Sequence, residues 1–265
     1  METKNIITVT HGGAGSKNEY SDGTEKAAHR FIESVRNGTS VTRSVCHAVA
    51  VLEDDSRFNA GIGSAARSDG TVAMDAALMD SAGTFGAVAA LSGYRNPIYI
   101  AEAVSQSKCR LIAGDGAAQF AQANDFQTVS PEEMRTGKGQ DFSSKDTVGC
   151  VGYDGQTFAA ALSTGGIRGS LPGRVGDVPL IGCGLYAGPQ GAVAATGDGE
   201  AILMRMTAIR AYQLLEAHRH PEEVVKEVLS WFSNGEAVGL ILIGHKGHAG
   251  GSNQSMAWSA RESHL

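Results

Sequence analysis

Asp146-Thr147-Val148-Gly149-Cys150-Val151-Gly152-Tyr153 runs into Asp154-Gly155 and then into Thr157-Phe158-Ala159-Ala160-Ala161-Leu162-Ser163-Thr164. Two β-rich runs on either side of an Asp-Gly pair are a strong hairpin signal. Thr147 opens the first strand and Thr164 ends the return strand before Gly165-Gly166. In an antiparallel pair Thr164 can therefore lie close enough to hydrogen-bond Thr147. Upstream, residues 128–146 show no hydrophobic period and include Met134-Arg135-Thr136-Gly137-Lys138-Gly139-Gln140, which reads as an exposed, mobile linker. A linker that runs straight into a strand-opening threonine suits a chain cut between Asp146 and Thr147. The freed α-amine, with an intrinsic pKa of about 7.7–8.0, would then be the base for the threonine's own hydroxyl.

Working outward, Ile6 to Thr10 reads as a buried strand ending in a His11-Gly12-Gly13-Ala14-Gly15 turn. Helices are predicted over Thr24–Asn37, with Thr24 as N-cap and Gly38 as stop, and over Ser40–Asp54. Arg57 to Gly63 is a glycine-studded loop. Short strands follow at Val72–Met79 and Phe85–Leu91, then a helix from Pro97 to about Ser107, a strand at Arg110–Ala113 and a helix at Gly116–Asn124. Beyond the hairpin, a strand is predicted at Ala192–Thr196, a long helix at Glu200–His218 and another at Pro221–Ser233. The last predicted strands are Val238–Ile243 and Asn253–Ser259. Strands and helices come in blocks rather than alternating, which favours an α+β layered fold over a doubly wound sheet.

Three further features carry chemistry. Thr196-Gly197-Asp198-Gly199 offers a hydroxyl and unobstructed backbone N–H groups, the donors an oxyanion hole needs. Arg174 and Asp177, three apart on a glycine-rich loop, can grip a zwitterion, guanidinium to α-carboxylate and carboxylate to α-ammonium. Each feature taken singly also fits a structural role: a strand residue, a strand-end turn, an ion pair within a loop. Other patterns carry less. Ser105-Gln106-Ser107-Lys108 lacks partner motifs, Gly182-x-Gly184 lacks a third glycine, and His245 with His248 lacks a third ligand.

Composition narrows the class. The chain has 265 residues, 42% of them apolar and 19% charged, with a net charge of −6. That is the balance of a globular domain, and with no basic run it argues against a nucleic-acid partner. Four scattered cysteines, Cys46, Cys109, Cys150 and Cys183, with no C-x-x-C, read as small buried hydrophobes in a reducing compartment. The start lacks the pattern of a signal peptide and no apolar run has the length of a membrane span. The expectation is a soluble cytoplasmic protein.

Taken together and in order, the motifs resemble the plant-type L-asparaginase / isoaspartyl peptidase family of N-terminal nucleophile hydrolases. They are His11 to Gly15, Phe58-Asn59-Ala60-Gly61-Ile62-Gly63, Met74-Asp75-Ala76, Arg95-Asn96-Pro97, Asp146 to Gly149, Ser163 to Gly166, Leu171 to Asp177 and Thr196 to Glu200. The resemblance implies one domain over residues 1–265 with an αββα four-layer sandwich. The precursor would cut itself into an α subunit (1–146) and a β subunit (147–265).

By the same resemblance Thr147 matches the nucleophile, Thr164 its supporting threonine, and Thr196 with Gly197 the oxyanion pair. Arg174 and Gly199 match the holders of the substrate α-carboxylate, Asp177 that of its α-amine, and Asn59 an asparagine close to the nucleophile. Backbone carbonyls of Leu52, Glu53, Asp55, Phe58, Ala60 and Ile62 match a sodium site; no cofactor is implied for the chemistry. The implied reaction is hydrolysis of β-aspartyl peptides and/or L-asparagine to L-aspartate, by a homodimer of αβ units.

Two other readings belong beside it. A glycosylasparaginase-like enzyme would carry a tryptophan-containing segment in place of His11 to Gly15, and Ser-Thr-Asn-Gly in place of Ser163 to Gly166. An uncleaved, non-catalytic member would bind amino acids without turning them over. Ile167-Arg168-Gly169-Ser170 departs from the Met/Lys-containing stretch more familiar in the family.

Overall fold

A computed structural model describes residues 5–130, 132–135 and 147–264. Asp146 and most of the segment read as a linker lie outside the described residues. From the N-terminus, β1 (Asn5–His11) leads to α1 (Ser21–Arg36) and α2 (Val41–Glu53). Then come β2 (Met74–Asp80), β3 (Phe85–Leu91), α3 (Pro97–Ser105), β4 (Leu111–Ala113) and α4 (Gly114–Ala123). The predicted hairpin forms as β5 (Val148–Tyr153) and β6 (Phe158–Thr164). After it come β7 (Leu185–Gly188), β8 (Gly191–Gly197), α5 (Gly199–Arg205), α6 (Thr207–Glu216), α7 (Pro221–Ser230), β9 (Val238–Gly244), β10 (Gly247–Ser252) and β11 (Trp258–His264).

The strands make two sheets. The larger has the order β11-β1-β5-β6-β2-β3-β4, antiparallel except for β3 with β4; the smaller is β10-β9-β8-β7, antiparallel throughout. One apolar core joins α1, α2 and α3 to the large sheet through Phe31, Val45, Leu52 and Ile98. A second, with Val9, Leu162, Leu185 and Ile241, draws on strands of both sheets. A third joins the small sheet to α6 and α7 through Val193, Leu215, Val228 and Leu242. Fully burying each such side chain contributes about 1.5–3 kcal/mol, so the sheets are held from both faces.

Register brings the chemistry to one end of the large sheet. His11 pairs with Gly149, Val148 with Ser163, and Thr164 with Asp75. His11, Thr147, Thr164 and Asp75, far apart in sequence, thus line up across four neighbouring strands.

Several predicted boundaries change. Helix α1 starts at Ser21, fed by a 3-10 turn at Asn18–Tyr20, so Thr24 is inside it. Its buried hydroxyl bonds the Ser21 carbonyl at 3.0 Å and Ser259 Oγ at 2.7 Å rather than capping the helix. The single helix expected over Glu200–His218 is two, broken at Met206, whose φ is 49°. The second starts against the 182–183 loop, Ala208 N–H donating to the Cys183 carbonyl and Ile209 N–H to that of Gly182. These tertiary bonds satisfy N–H groups that a helix start leaves unpaired and offset the left-handed residue.

Strands β7 and β10 have no counterpart in the sequence prediction, and the last strand lies at Trp258–His264 rather than Asn253–Ser259. Residues at the start of the predicted linker are tied down: Thr128 bridges Tyr94, Val129 N–H donates to the Gly93 carbonyl, and Met134 is buried.

Candidate active site

Thr147 stands at the mouth of β5, buried, and meets Thr196 from the end of β8 in the other sheet. The Thr147 N–H donates to Thr196 Oγ1 at 3.3 Å, and Thr196 Oγ1 lies 3.5 Å from the Thr147 carbonyl as its donor. Ala14 N–H, in the glycine turn after β1, also donates to Thr196 Oγ1, at 3.1 Å. One fully buried hydroxyl thus links three segments that sequence separates by up to 182 positions. Gly197 follows at φ 132°, so close to the Ala237 carbonyl that a Cβ could not fit.

Thr164 ends β6 on the strand next to Thr147, as the hairpin predicts. Its Oγ1 accepts Gly166 N–H at 3.1 Å, so among the described residues its recorded partner is that backbone rather than Thr147. Asn59 is committed to the same corner. Its Nδ2 donates to the Gly166 carbonyl at 2.7 Å, its Oδ1 accepts Ala65 N–H at 2.9 Å, and its own carbonyl accepts Gly165 N–H at 2.8 Å. The asparagine therefore clips the 59–65 loop to the turn that follows Thr164.

His11, which opens the glycine-turn motif and has no role assigned to it by the sequence, lies beside this corner, fully buried. Burial pushes its pKa down to about 3, against a weaker pull from the Thr147 backbone, so it is neutral at ordinary pH.

Arg174, Asp177 and Gly199 converge. A Cβ on Gly199 would sit 2.7 Å from Arg174 Nη2 and 2.9 Å from Asp177 Oδ1, so only glycine leaves the space between the two charges open. Arg174 gives one edge of its guanidinium to Glu200, Nε to Oε1 at 2.9 Å and Nη2 to Oε2 at 2.8 Å. Its Nη1 lies on the side of Gly166 and Gly176. Asp177 is 5% exposed and its Oδ2 has no hydrogen-bond partner among the described residues. Burial raises its pKa to about 7, with the Arg174 charge opposing and those of Asp75 and Glu200 adding to the rise. A buried carboxylate oxygen without a donor costs free energy unless a ligand supplies one.

The loop leading to Asn59 is lined by carbonyls. A Cβ at Gly61 would strike the Glu53 carbonyl and one at Gly63 the Phe58 carbonyl. The carbonyls of Asp55, Phe58 and Ala60 each accept one backbone N–H, which leaves a second lone pair on each, whereas that of Leu52 accepts both Asp54 and Asp55 N–H.

Comparison with known proteins gives the family. A family model described as asparaginase matches residues 4–142 and 136–264. The chain belongs to the asparaginase family. It is 35% identical to the isoaspartyl peptidase/L-asparaginase of Bos taurus, the match covering 97% of this chain and 93% of that protein. It is 33% identical to the protein of the same name from Xenopus laevis, over 96% and 91% of the two chains. With the plant-type L-asparaginase of Pyrococcus furiosus it shares 32% identity over 92% of each chain.

Within this asparaginase-family chain, Asp75 and Glu200 stand inside two of the quoted motifs with no role assigned to them, and Arg67 lies outside all of the motifs. Asp75 is buried, and its Oδ1 accepts Ala90 N–H at 2.7 Å. Its place opposite Thr164 follows from register, which no local pattern reveals. Among the described residues, no helix is long and apolar enough to cross a membrane.

Proposed function

We propose that this chain is a threonine amidohydrolase that cuts itself between Asp146 and Thr147 and then releases L-aspartate from β-aspartyl peptides or L-asparagine. The observation that carries the reading is the convergence of Thr147 and Thr196 near the zwitterion grip of Arg174, Asp177 and Gly199. Family membership and the relatives named isoaspartyl peptidase/L-asparaginase support it.

In this mechanism the Thr147 α-amine takes the proton from Oγ as Oγ attacks the substrate β-carbonyl. Thr196 and Gly197 donate to the oxygen that becomes negative, and the proton passes to the departing amine. A β-aspartyl ester on Thr147 remains. Water then attacks the ester, again with the α-amine as base, and L-aspartate leaves. Arg174 holds the α-carboxylate by the guanidinium edge not used by Glu200, and Asp177 holds the α-ammonium. Binding both charges positions the β-carbonyl over Thr147, where orientation is worth several orders of magnitude in rate. Thr164 supports the nucleophile from the neighbouring strand, and Asn59 keeps the turn after it in place.

Helices on the outer faces of two packed sheets support an αββα sandwich. In the 52–63 loop the carbonyls of Leu52, Glu53, Asp55, Phe58, Ala60 and Ile62 would hold a sodium ion, whose charge would stiffen the loop that delivers Asn59. A dimer of αβ units is part of the same reading.

Intact-mass spectrometry before and after incubation at neutral pH, with kinetics on L-asparagine and a β-Asp-Leu dipeptide, tests the proposal. Two fragments meeting at Asp146–Thr147 and turnover of either substrate are expected, with both lost in Thr147→Ala. Undiminished asparagine hydrolysis by Thr147→Ala would remove Thr147 from the mechanism. A chain that stays whole and inactive but binds L-aspartate would favour a non-catalytic amino-acid binder.

A further inference from the structure

The geometry points to Arg67 as a positioning residue for Arg174, through which it sets how tightly ligands bearing an α-carboxylate are held. Arg67 is a cation only 4% exposed. Among the described residues it makes no ion pair within 4.0 Å of the kind formed by Arg174 with Glu200. Its two terminal nitrogens are spent on backbone, while the buried Nε has no hydrogen-bond partner among the described residues. Nη1 donates to the carbonyls of Leu171 (3.0 Å) and Arg174 (2.9 Å), and Nη2 to that of Ala73 (3.2 Å). Leu171 and Arg174 are the two ends of the Leu171-Pro172-Gly173-Arg174 turn, which also closes through Arg174 N–H to the Leu171 carbonyl at 3.1 Å. One guanidinium nitrogen thus fastens both ends of the turn that presents Arg174.

Pro172 and Gly173, the latter at φ 81°, make this turn locally favourable, but they say nothing of where it sits. Residues around Arg67 do. Gly169 N–H donates to the Ala66 carbonyl at 2.9 Å and Ser68 N–H to that of Ser170 at 3.0 Å. Arg67 N–H donates to the Thr71 carbonyl at 2.8 Å, and Asp69 Oδ1 accepts from Thr71 N–H and Oγ1 at 3.0 and 2.7 Å. The 66–73 segment is a braced turn laid along 169–174, and the Arg67 side chain carries that brace to the base of Arg174.

Burying a guanidinium is costly unless its donors are used. Asp75 offsets part of the charge and Arg174 adds a like charge. A lysine offers a point charge without a planar fork, so it cannot span the three carbonyls in the same way.

The inference rests on Arg174 as the α-carboxylate holder. L-aspartate and β-alanine probe it, because β-alanine is L-aspartate without that group. Calorimetric binding of both is measured at pH 8.5 to wild type, Arg67→Gln, Arg67→Lys, Arg174→Met and the Arg67→Gln/Arg174→Met double variant. Each variant is checked for folding by its thermal transition, and Arg67→Lys, which keeps the charge, carries the test if Arg67→Gln does not fold. L-aspartate should weaken by about tenfold or more, which is about 1.4 kcal/mol, while β-alanine changes by less than about twofold. In the Arg174→Met background, Arg67→Gln should add almost nothing, the signature of two residues acting through one contact.

Equal weakening of both ligands, unchanged binding of L-aspartate, or losses that multiply in the double variant would each overturn the assignment. Wild type that binds L-aspartate no better than β-alanine would remove Arg174 as the holder and this inference with it. Wild type that prefers L-aspartate but hydrolyses nothing would sink the hydrolase reading alone.

Discussion

On the proposed role of Asp177 as holder of the substrate's ammonium, acid should weaken binding, because that carboxyl must be charged and is buried where charge is costly. Its pKa is raised to about 7 by burial, and among the described residues its Oδ2 finds no donor, which a bound ammonium would supply. Ligand binds only the ionised fraction, so the apparent Kd is the intrinsic one divided by that fraction. With a pKa of about 7, L-aspartate should bind about tenfold more weakly at pH 6 than at pH 8.5, and about a hundredfold more weakly at pH 5. The ligand's own α-ammonium and α-carboxylate stay charged over that range.

Isothermal titration of L-aspartate from pH 5 to pH 8.5 reads this directly, independent of turnover and of the Thr147 amine's role in it. Asp177→Asn should lose the limb near pH 7. At pH 8.5 it should bind more weakly by the worth of one charge-assisted hydrogen bond, about 1.5–3 kcal/mol or roughly 10- to 150-fold. A flat profile in wild type, or a limb near pH 7 that survives in Asp177→Asn, would refute the argument. The linked effect on stability has a definite sign. The folded state keeps the proton between the carboxyl's ordinary value of 3.8 and about 7, so stability from this group falls as pH rises through that window.

Two further outcomes follow from the same geometry. Thr196→Ala removes the oxygen shared by Ala14 and Thr147 and should lower kcat on L-asparagine by roughly 10²–10³. Thr196→Ser should stay within about tenfold of wild type, and a Thr196→Ala enzyme that fast would remove the hydroxyl from the mechanism. Glu53, fully buried with its pKa raised to about 8 by burial, accepts Ile98 N–H at the start of α3 and Asn96 Nδ2. The folded state holds its proton between 4.5 and about 8, so this group's contribution to stability declines as pH rises across that range. Glu53→Gln should show a shallower fall in Tm than wild type between pH 5 and pH 8.5, and parallel curves would refute it.

Local signals were legible where one short stretch decides the structure. The Asp154-Gly155 turn sets the β5–β6 hairpin, Ser40 accepts Arg43 N–H at 3.3 Å and starts α2, and β3 spans Phe85–Leu91 as predicted. Where a partner elsewhere in the chain decides, the local reading missed. Strand β10, Gly-His-Ala-Gly-Gly-Ser, has poor β propensity and exists because β9 offers it an edge. The break at Met206 answers the carbonyls of Gly182 and Cys183, and Thr24 leaves its capping role for Ser259 across the fold.

The sequence by itself determined which residue types are available for the chemistry and in what order. The threonines of three motifs, the Arg174–Asp177 spacing and the glycines beside them were all visible, and they sufficed to name the family. Tertiary structure alone decided which of them meet. Thr147 and Thr196 come from different sheets, and Asp75 reaches Thr164 through register. Arg67 was ordinary in the sequence until its fork was seen on the carbonyls of Leu171 and Arg174. The reason is physical: turns and caps depend on neighbours in the chain, whereas register, burial and buried polar partners depend on surfaces that exist only after the sheets have packed.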